Sequence, residues 1–462
     1  MKIDAFVAEI GSTTTVVSAF DQLNTPCARF LGQGVSPTTV VEGDVLIGLN
    51  KAIANLIETT GQIFEPKHIY ATSSAAGGLK MSVHGLVYDM TVKAAKEAAL
   101  GAGGNLLWIT AGQLQPHDLK HLQTLPLNMI LIAGGVDYGE SQTALENAKQ
   151  IAALQKNIPV IYAGNKVNQE AVRMIFTQYH QQDFLFITPN VYPRIDQLQV
   201  EEVRLIIQNA FEKHITEAPG MERIRNLVTH TIIPTPRAVL QATAFASRFY
   251  GDCLTMDVGG ATTDIHSCTQ GSQEIEKILI APEPKLKRTV EGDLGIFINK
   301  DQCVQSIGKE KLASELQITL LELDHLLDIY PPIPTNETIP LAKRLTIEAT
   351  SKALMRHVGR KLITYGPQGK IVLAEGKDLS KIQTVIGTGG ALTRLPGGVS
   401  MIQTAWAKRD VGALLPSDDV MIYLDQDYIM ASIGVLCQDY PIGCEALLKQ
   451  SLERKGFPCQ DS

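Results

Sequence analysis

No stretch of this chain stays apolar for the ~20 residues that cross a bilayer, and the N-terminus has no basic segment followed by a long apolar one. The expected compartment is the cytoplasm, and no membrane partner is expected. Cysteines are few and scattered, at 27, 253, 268, 303, 437, 444 and 459. Their number is odd, no CxxC occurs and no Cys/His cluster has zinc-finger spacing. They read as reduced thiols rather than as a disulfide framework or a metal site. Concentrated positive charge is also missing. The formal net charge is -7 and Lys and Arg are dispersed, which argues against nucleic acid as the main partner. The one basic run, Lys285, Lys287 and Arg288, reads more readily as a solvated face than as a contact for a phosphate or a partner. There is no GxxxxGKS or GxxxxGKT loop, and no GxGxxG follows a strand with an acid about 20 residues later. No Ser-His-Asp or Cys-His set can be assembled.

What remains is an ordinary globular composition over 462 residues, enough for two or three domains, since one core stops growing at roughly 250–300 residues. The chain opens as a β-hairpin, with Phe6 and Val7 leading into Glu9–Thr15 and Val16–Phe20 resuming strand character. Apolar spacing predicts a helix over 45–57. A strand over 68–72, an apolar run over 81–87 and a helix over 90–100 follow, the last stopped at Gly101-Ala102-Gly103-Gly104. From about Leu125 the pattern is βαβ: strands at 129–133, 159–163 and 184–188 alternate with helices, which means a parallel sheet. A further helix is predicted over 200–214. Pro236 opens a helix through Ser247, and a second hairpin runs from Cys253 to His266. Residues 308–365 read as mostly helical, ending in a stripe of Ile347, Leu354, Val358 and Leu362. Strands at 371–374 and 384–386 close the pattern.

Three glycine turns each follow a short apolar strand. They are Glu9-Ile10-Gly11-Ser12-Thr13-Thr14, Asp257-Val258-Gly259-Gly260-Ala261-Thr262-Thr263-Asp264, and Ile386-Gly387-Thr388-Gly389-Gly390-Ala391. The first two join an acid at the strand end to glycine and hydroxyl residues at the tip. Glycine admits positive φ and lets backbone N–H groups approach a ligand. Successive N–H groups form an anion-binding concavity, and hydroxyls add donors. An acid at the base suits Mg²⁺, held mostly through water because that ion dehydrates reluctantly. Each turn alone is weak evidence; two such hairpins face to face would grip a polyphosphate and its metal.

In this order and spacing the turns resemble the actin/sugar-kinase/Hsp70 superfamily. That resemblance implies an α/β fold of two RNase H-like ATPase lobes with an inserted α/β unit in the first lobe. The expected division is 1–117 for the first lobe, 118–235 for the insert, 236–442 for the second lobe and 443–462 for a C-terminal tail. It implies ATP and Mg²⁺ as cofactors, with Glu9 and Asp257 as catalytic and metal-positioning acids. Phosphates would lie on Gly11, Ser12, Thr13, Thr14, Gly259, Gly260, Ala261, Thr262 and Thr263, and adenosine on Gly387, Thr388, Gly389 and Gly390. A connecting helix would begin at Pro234-Thr235-Pro236, and a closing helix would be Met430–Leu436. The family's first acid is usually Asp, and this chain has Glu9 there.

Further segments are similar to the glutamate mutase L family. They include Ser73-Ser74-Ala75-Ala76-Gly77-Gly78-Leu79, the run 90–103, Ala133-Gly134-Gly135-Val136-Asp137, Thr188-Pro189-Asn190-Val191-Tyr192-Pro193 and Arg288–Gly295. This resemblance implies an accessory ATPase, a reactivating chaperone for an adenosylcobalamin-dependent mutase or aminomutase, with homodimerisation left open. The alternatives are a small-molecule kinase or hydantoinase-like ATP-dependent hydrolase, or a nucleotide-gated scaffold that never cleaves ATP. The Arg288–Gly295 segment reads equally as a partner-facing surface or as a structural loop.

Overall fold

The computed structural model describes residues 1–39, 44–74, 79–100, 102, 104–195, 197–216, 221–230, 232–280, 283–366, 369–408, 410, 412–416 and 419–453. Ala75–Gly78, Gly101, Gly103 and the last nine residues of the expected tail lie outside the described residues. The chain divides into two compact units, one of residues 1–77, 214–289 and 294–462, the other of residues 78–213 and 290–293.

The larger unit holds two five-stranded sheets of the same design. In the first, the spatial order is Arg29–Pro37, Thr14–Asp21, Lys2–Ile10, Glu65–Ser73, Ile233–Pro234. The first three strands pair antiparallel, and the last two join in parallel. In the second, the order is Leu286–Glu291, Thr263–Cys268, Cys253–Val258, Thr384–Thr388, Met421–Leu424. Its hairpin is again antiparallel and its last two strands parallel. Numbered along the chain within each sheet, both read 3-2-1-4-5, the RNase H-like order, so the α/β expectation of two like sheets is met. The strand interiors are almost wholly buried, because side chains of a sheet covered on both faces have nowhere else to go.

Helices cover these sheets where the sequence signals place them. The helix Val45–Thr60 starts at Asp44, whose side chain accepts from Leu46 N, and ends at Gly61 with φ 67°. The helix Ile339–His357 lays Leu341, Leu345, Ala349 and Ala353 on the core beneath the second sheet. It stops at His357, and Arg360–Gly366 pairs with Gly369–Glu375 as a ribbon. The expected helical stripe through Leu362 therefore fails. Ile363-Thr364-Tyr365 is a β-branched and aromatic run that finds a partner strand just beyond its turn.

The connecting helix Thr235–Tyr250 and the closing helix Met430–Leu436 touch backbone to backbone. A Cβ built on Gly434 would lie 1.9 Å from Ala238 O. Gly434→Ala should therefore destabilise the fold by about 1–3 kcal/mol, the cost of overpacking, although alanine is the better helix former by ~1 kcal/mol. A denaturant midpoint that rises in this variant would contradict the crossing.

The smaller unit is an all-parallel sheet in the order Gly104–Ala111, Leu79–Gly85, Met129–Ile132, Val160–Tyr162, Leu185–Ile187. Its core joins Ile130, Ile132, Ala144, Ala148, Tyr162 and Phe176. The predicted βαβ alternation is present, but this unit differs at both ends from the 118–235 span. Two strands before residue 118 hydrogen-bond into its sheet, and Ile233–Pro234 joins the first sheet of the larger unit. Among the described residues no helix is long and apolar enough to cross a membrane.

Candidate functional site

Both hairpins close on the same backbone bond. Gly11 N donates to Thr14 O at 2.9 Å, and Gly259 N donates to Thr262 O at 2.9 Å. Two residues before each glycine stands the acid, Glu9 opposite Val16 in one hairpin and Asp257 opposite Asp264 in the other. The two tips meet: a Cβ built on Gly260 would lie 2.6 Å from Thr13 Cγ2. Between them opens a cleft of about 400 Å³, lined among others by Glu9, Gly11–Thr14, Asp257–Thr262, Asp264, Gly390 and Arg394.

The second tip is tied back by a segment that its sequence did not announce. Gly259 O accepts from Ile296 N, Gly260 O accepts from Phe297 N and Ile298 N, and Ala261 O accepts from Asn299 Nδ2. With Thr262 O taken by Gly259, every tip carbonyl is engaged. Among the described residues the N–H groups of Gly260, Ala261 and Thr262 have no acceptor. Carbonyls turned away and N–H groups left over make an anion-binding concavity. In the first tip, Thr13 O accepts from Thr38 N and Ser12 Oγ donates to Ser74 O at 2.5 Å. The Ser12 and Thr13 N–H groups likewise have no acceptor among the described residues.

Not every expected residue reaches the cleft. Thr263 is fully buried and its hydroxyl donates to Leu294 O at 2.6 Å, which leaves Thr262 as that hairpin's hydroxyl on the cleft. Of the third turn, Gly390 lines the cleft and Gly387 lies inside the sheet. Thr388 is buried and donates to Asp425 Oδ2 at 2.9 Å. Gly389 backs the site: a Cβ there would fall 2.5 Å from Asp257 Oδ1. Arg288–Gly295 is not an exposed surface, since Thr289, Val290, Glu291 and Leu294 are all buried. Its structural reading is the one supported.

Two further residues were missed. Asp425 directly follows the strand Met421–Leu424 and is 1% exposed. It accepts from Thr388 Oγ1, Ser451 Oγ, Ile429 N and Met430 N, which caps the closing helix. An acid at the end of an apolar strand is the pattern already seen at Glu9 and Asp257, and it was there to read. Tyr428 donates its hydroxyl to Glu9 Oε1 at 2.7 Å. Ile296, Pro332, Ile333, Pro334, Ile339 and Leu395 give the same cleft an apolar wall.

The acids crowd one another. Burial pushes Glu9 up to about 8; nearby Asp257 adds to the shift, Tyr428 opposes it and Asp425 contributes. Burial, then Asp425, lifts Asp257 to about 7. Burial and the surrounding carboxylates, Glu9 first, raise the Tyr428 hydroxyl well above its ordinary range, so it stays a donor. Arg394 is the one cationic side chain lining the cleft among the described residues. It donates to Gln33 Oε1 and lies 5.9 Å from the Tyr428 ring centre. Among the described residues no group of three or more His, Cys, Asp or Glu is arranged to hold a metal by itself. That donor set suits a cation that brings its own water and phosphate ligands rather than one caged by protein.

The sequence pattern of the MutL protein family matches residues 5–452. Protein MutL of Clostridium tetanomorphum is 34% identical over 475 residues, covering 97% of this chain and 99% of the relative. Among solved structures, the nucleotide-free diol dehydratase-reactivating factor superposes with a TM-score of 0.38 at 11% identity, over 95% of this chain and 100% of that one. Glycerol dehydratase reactivase gives 0.34 at 10%, over 94% and 99%.

Proposed function

The chain belongs to the MutL protein family, that of glutamate mutase L, and from this we propose that it is an ATP-hydrolysing accessory protein that reactivates an adenosylcobalamin-dependent mutase or aminomutase. The observation that carries the nucleotide part is the meeting of two like hairpin tips across one cleft, each with N–H groups that find no acceptor among the described residues and an acid at its base. The partner part rests on the family. In this reading Gly11–Thr14 and Gly259–Thr262 hold the phosphates. Adenosine lies by Gly390 against the wall of Ile296, Pro332, Ile333 and Pro334. Glu9 and Asp257 orient the attacking water and the hydrated cation. Mg²⁺ carried by the nucleotide would neutralise phosphate charge there, and crowded carboxyls with one arginine suit such a cation.

The raised acids give this reading a pH dependence. A bound cation favours the ionised carboxylates, so binding of the Mg²⁺–ATP complex must expel protons that Glu9 and Asp257 retain near neutrality. Affinity should rise as pH climbs through about 7 and about 8. For folding the sign is opposite. Carboxyls raised in the folded state contribute stability that is complete below the ordinary carboxylate range and is lost as pH passes those values. Calorimetry in two buffers of different ionisation heat measures the release; affinity that falls with pH would count against the assignment.

The experiment for the whole reading is ATP hydrolysis by the purified protein, with and without a cobalamin-dependent mutase inactivated by damaged cofactor. Hydrolysis should rise with the inactive mutase, and mutase activity should return on adding fresh cofactor. Hydrolysis indifferent to the mutase moves the function to a metabolite kinase or hydrolase.

A further inference from the structure

We propose that Tyr428 is the positioning residue for Glu9, fixing where that carboxylate stands in the cleft; this rests on the ATP reading above. The starting point is an asymmetry between otherwise matched hairpins. Glu9 and Asp257 hold equivalent places, two residues before the first glycine of each tip. Asp257 is short, and its Oδ1 is set against the backbone at Gly389, where a Cβ could not fit. Glu9 has one more methylene and so one more torsion to settle among its staggered wells. Packing fixes Asp257, and Glu9 needs a hydrogen bond.

Tyr428 supplies that bond at 2.7 Å, from a residue 419 positions away in the chain. Its own conformation is committed to the task. Tyr428 has φ 52°, a left-handed geometry that persists in a bulky residue only where the surroundings hold it. They hold it from several sides. Tyr428 N donates to Asp425 O at 3.0 Å, and Gln33 Nε2 donates to Tyr428 O at 3.3 Å. Arg394, bonded to the same Gln33, lies against the ring. The next two N–H groups, of Ile429 and Met430, both donate to Asp425. The left-handed turn thus places the ring in the cleft while the chain behind it enters the closing helix. Glu9 is aimed by a loop that is itself anchored at both ends.

The test is a double-mutant cycle of Tyr428→Phe, Glu9→Asp and the pair, read as kcat and KM for ATP with the melting temperature of each protein. Tyr428→Phe should lower kcat about tenfold, the order of one hydrogen bond to a charged group, with KM and melting temperature close to wild type. In the Glu9→Asp background the shorter carboxylate no longer reaches the hydroxyl, so Tyr428→Phe should add no further loss. A kcat equal to wild type, losses that multiply independently, or a loss tracked by a lower melting temperature would each overturn the positioning role and leave the cleft assignment standing. A wild-type protein that neither binds nor hydrolyses ATP would remove both.

Discussion

Asp257→Asn is expected to lower ATP turnover about 10²-fold or more, the scale of removing an electrostatic stabiliser from a reaction site. The change is nearly isosteric, so the second tip keeps its ties to Ile296–Asn299 and its N–H groups stay in place. What is lost is a negative charge at the base of that tip, where a hydrated cation or attacking water would be oriented. The loss should fall mainly on kcat, and the rise of ATP affinity through about pH 7 should disappear with the carboxyl that causes it. The fold should not suffer, because burial and Asp425 already push the Asp257 carboxyl up to about 7. A neutral amide relieves that crowding, and the melting temperature at alkaline pH should hold or rise. Steady-state kinetics together with a thermal melt separate these outcomes, and unchanged turnover would remove Asp257 from the mechanism.

Gly389→Ala should do the reverse, damaging the fold and the site together. Gly389 has φ 83°, where only glycine is at ease. Its missing Cβ would meet Asp257 Oδ1, Val258 N and Val258 O, each at 2.5 Å. Two of these are backbone atoms of a central strand and cannot swing aside. Strain of ~1–3 kcal/mol from the backbone adds to ~1–3 kcal/mol from overpacking. The variant should unfold at markedly lower denaturant and bind ATP poorly, since relief requires moving Asp257 itself. Gly390→Ala is the matched control: a Cβ there meets nothing within 4 Å, so its stability should stay close to wild type. Equal unfolding midpoints for the two variants would show that the third turn does not press on Asp257.

Much of the architecture was legible because it is written locally. Alternating apolar strands ending in an acid, glycine and hydroxyls announce hairpins, and both formed where the pattern put them. The run Met129–Ile132 is apolar throughout and became a fully buried parallel strand. Asp44 and Gly61 bracket the first long helix as cap residues should. Local signals failed where pairing partners outvoted them. Residues 360–366 carry a helical stripe and a strand composition at once, and the neighbouring strand Gly369–Glu375 decided the matter.

Which hydroxyls serve the cleft could not be read from the motif. Thr262 and Thr263 are adjacent and chemically identical, yet one lies at the tip and the other is the first residue of a strand, where neighbours point to opposite faces. Only the strand register sends Thr263 to Leu294 O. The sequence alone determined the three glycine turns, the acids at the bases of the first two and the family, because each needs only residues within a few positions or a match along the chain. The tertiary structure alone decided that Tyr428 meets Glu9, that Asp425 joins Thr388 to the closing helix, and that Ile296–Asn299 engage the second tip's carbonyls. Those contacts join residues brought together only when the strands and helices pack, and no spacing in a linear sequence encodes which side chains will then stand within 3 Å of one another.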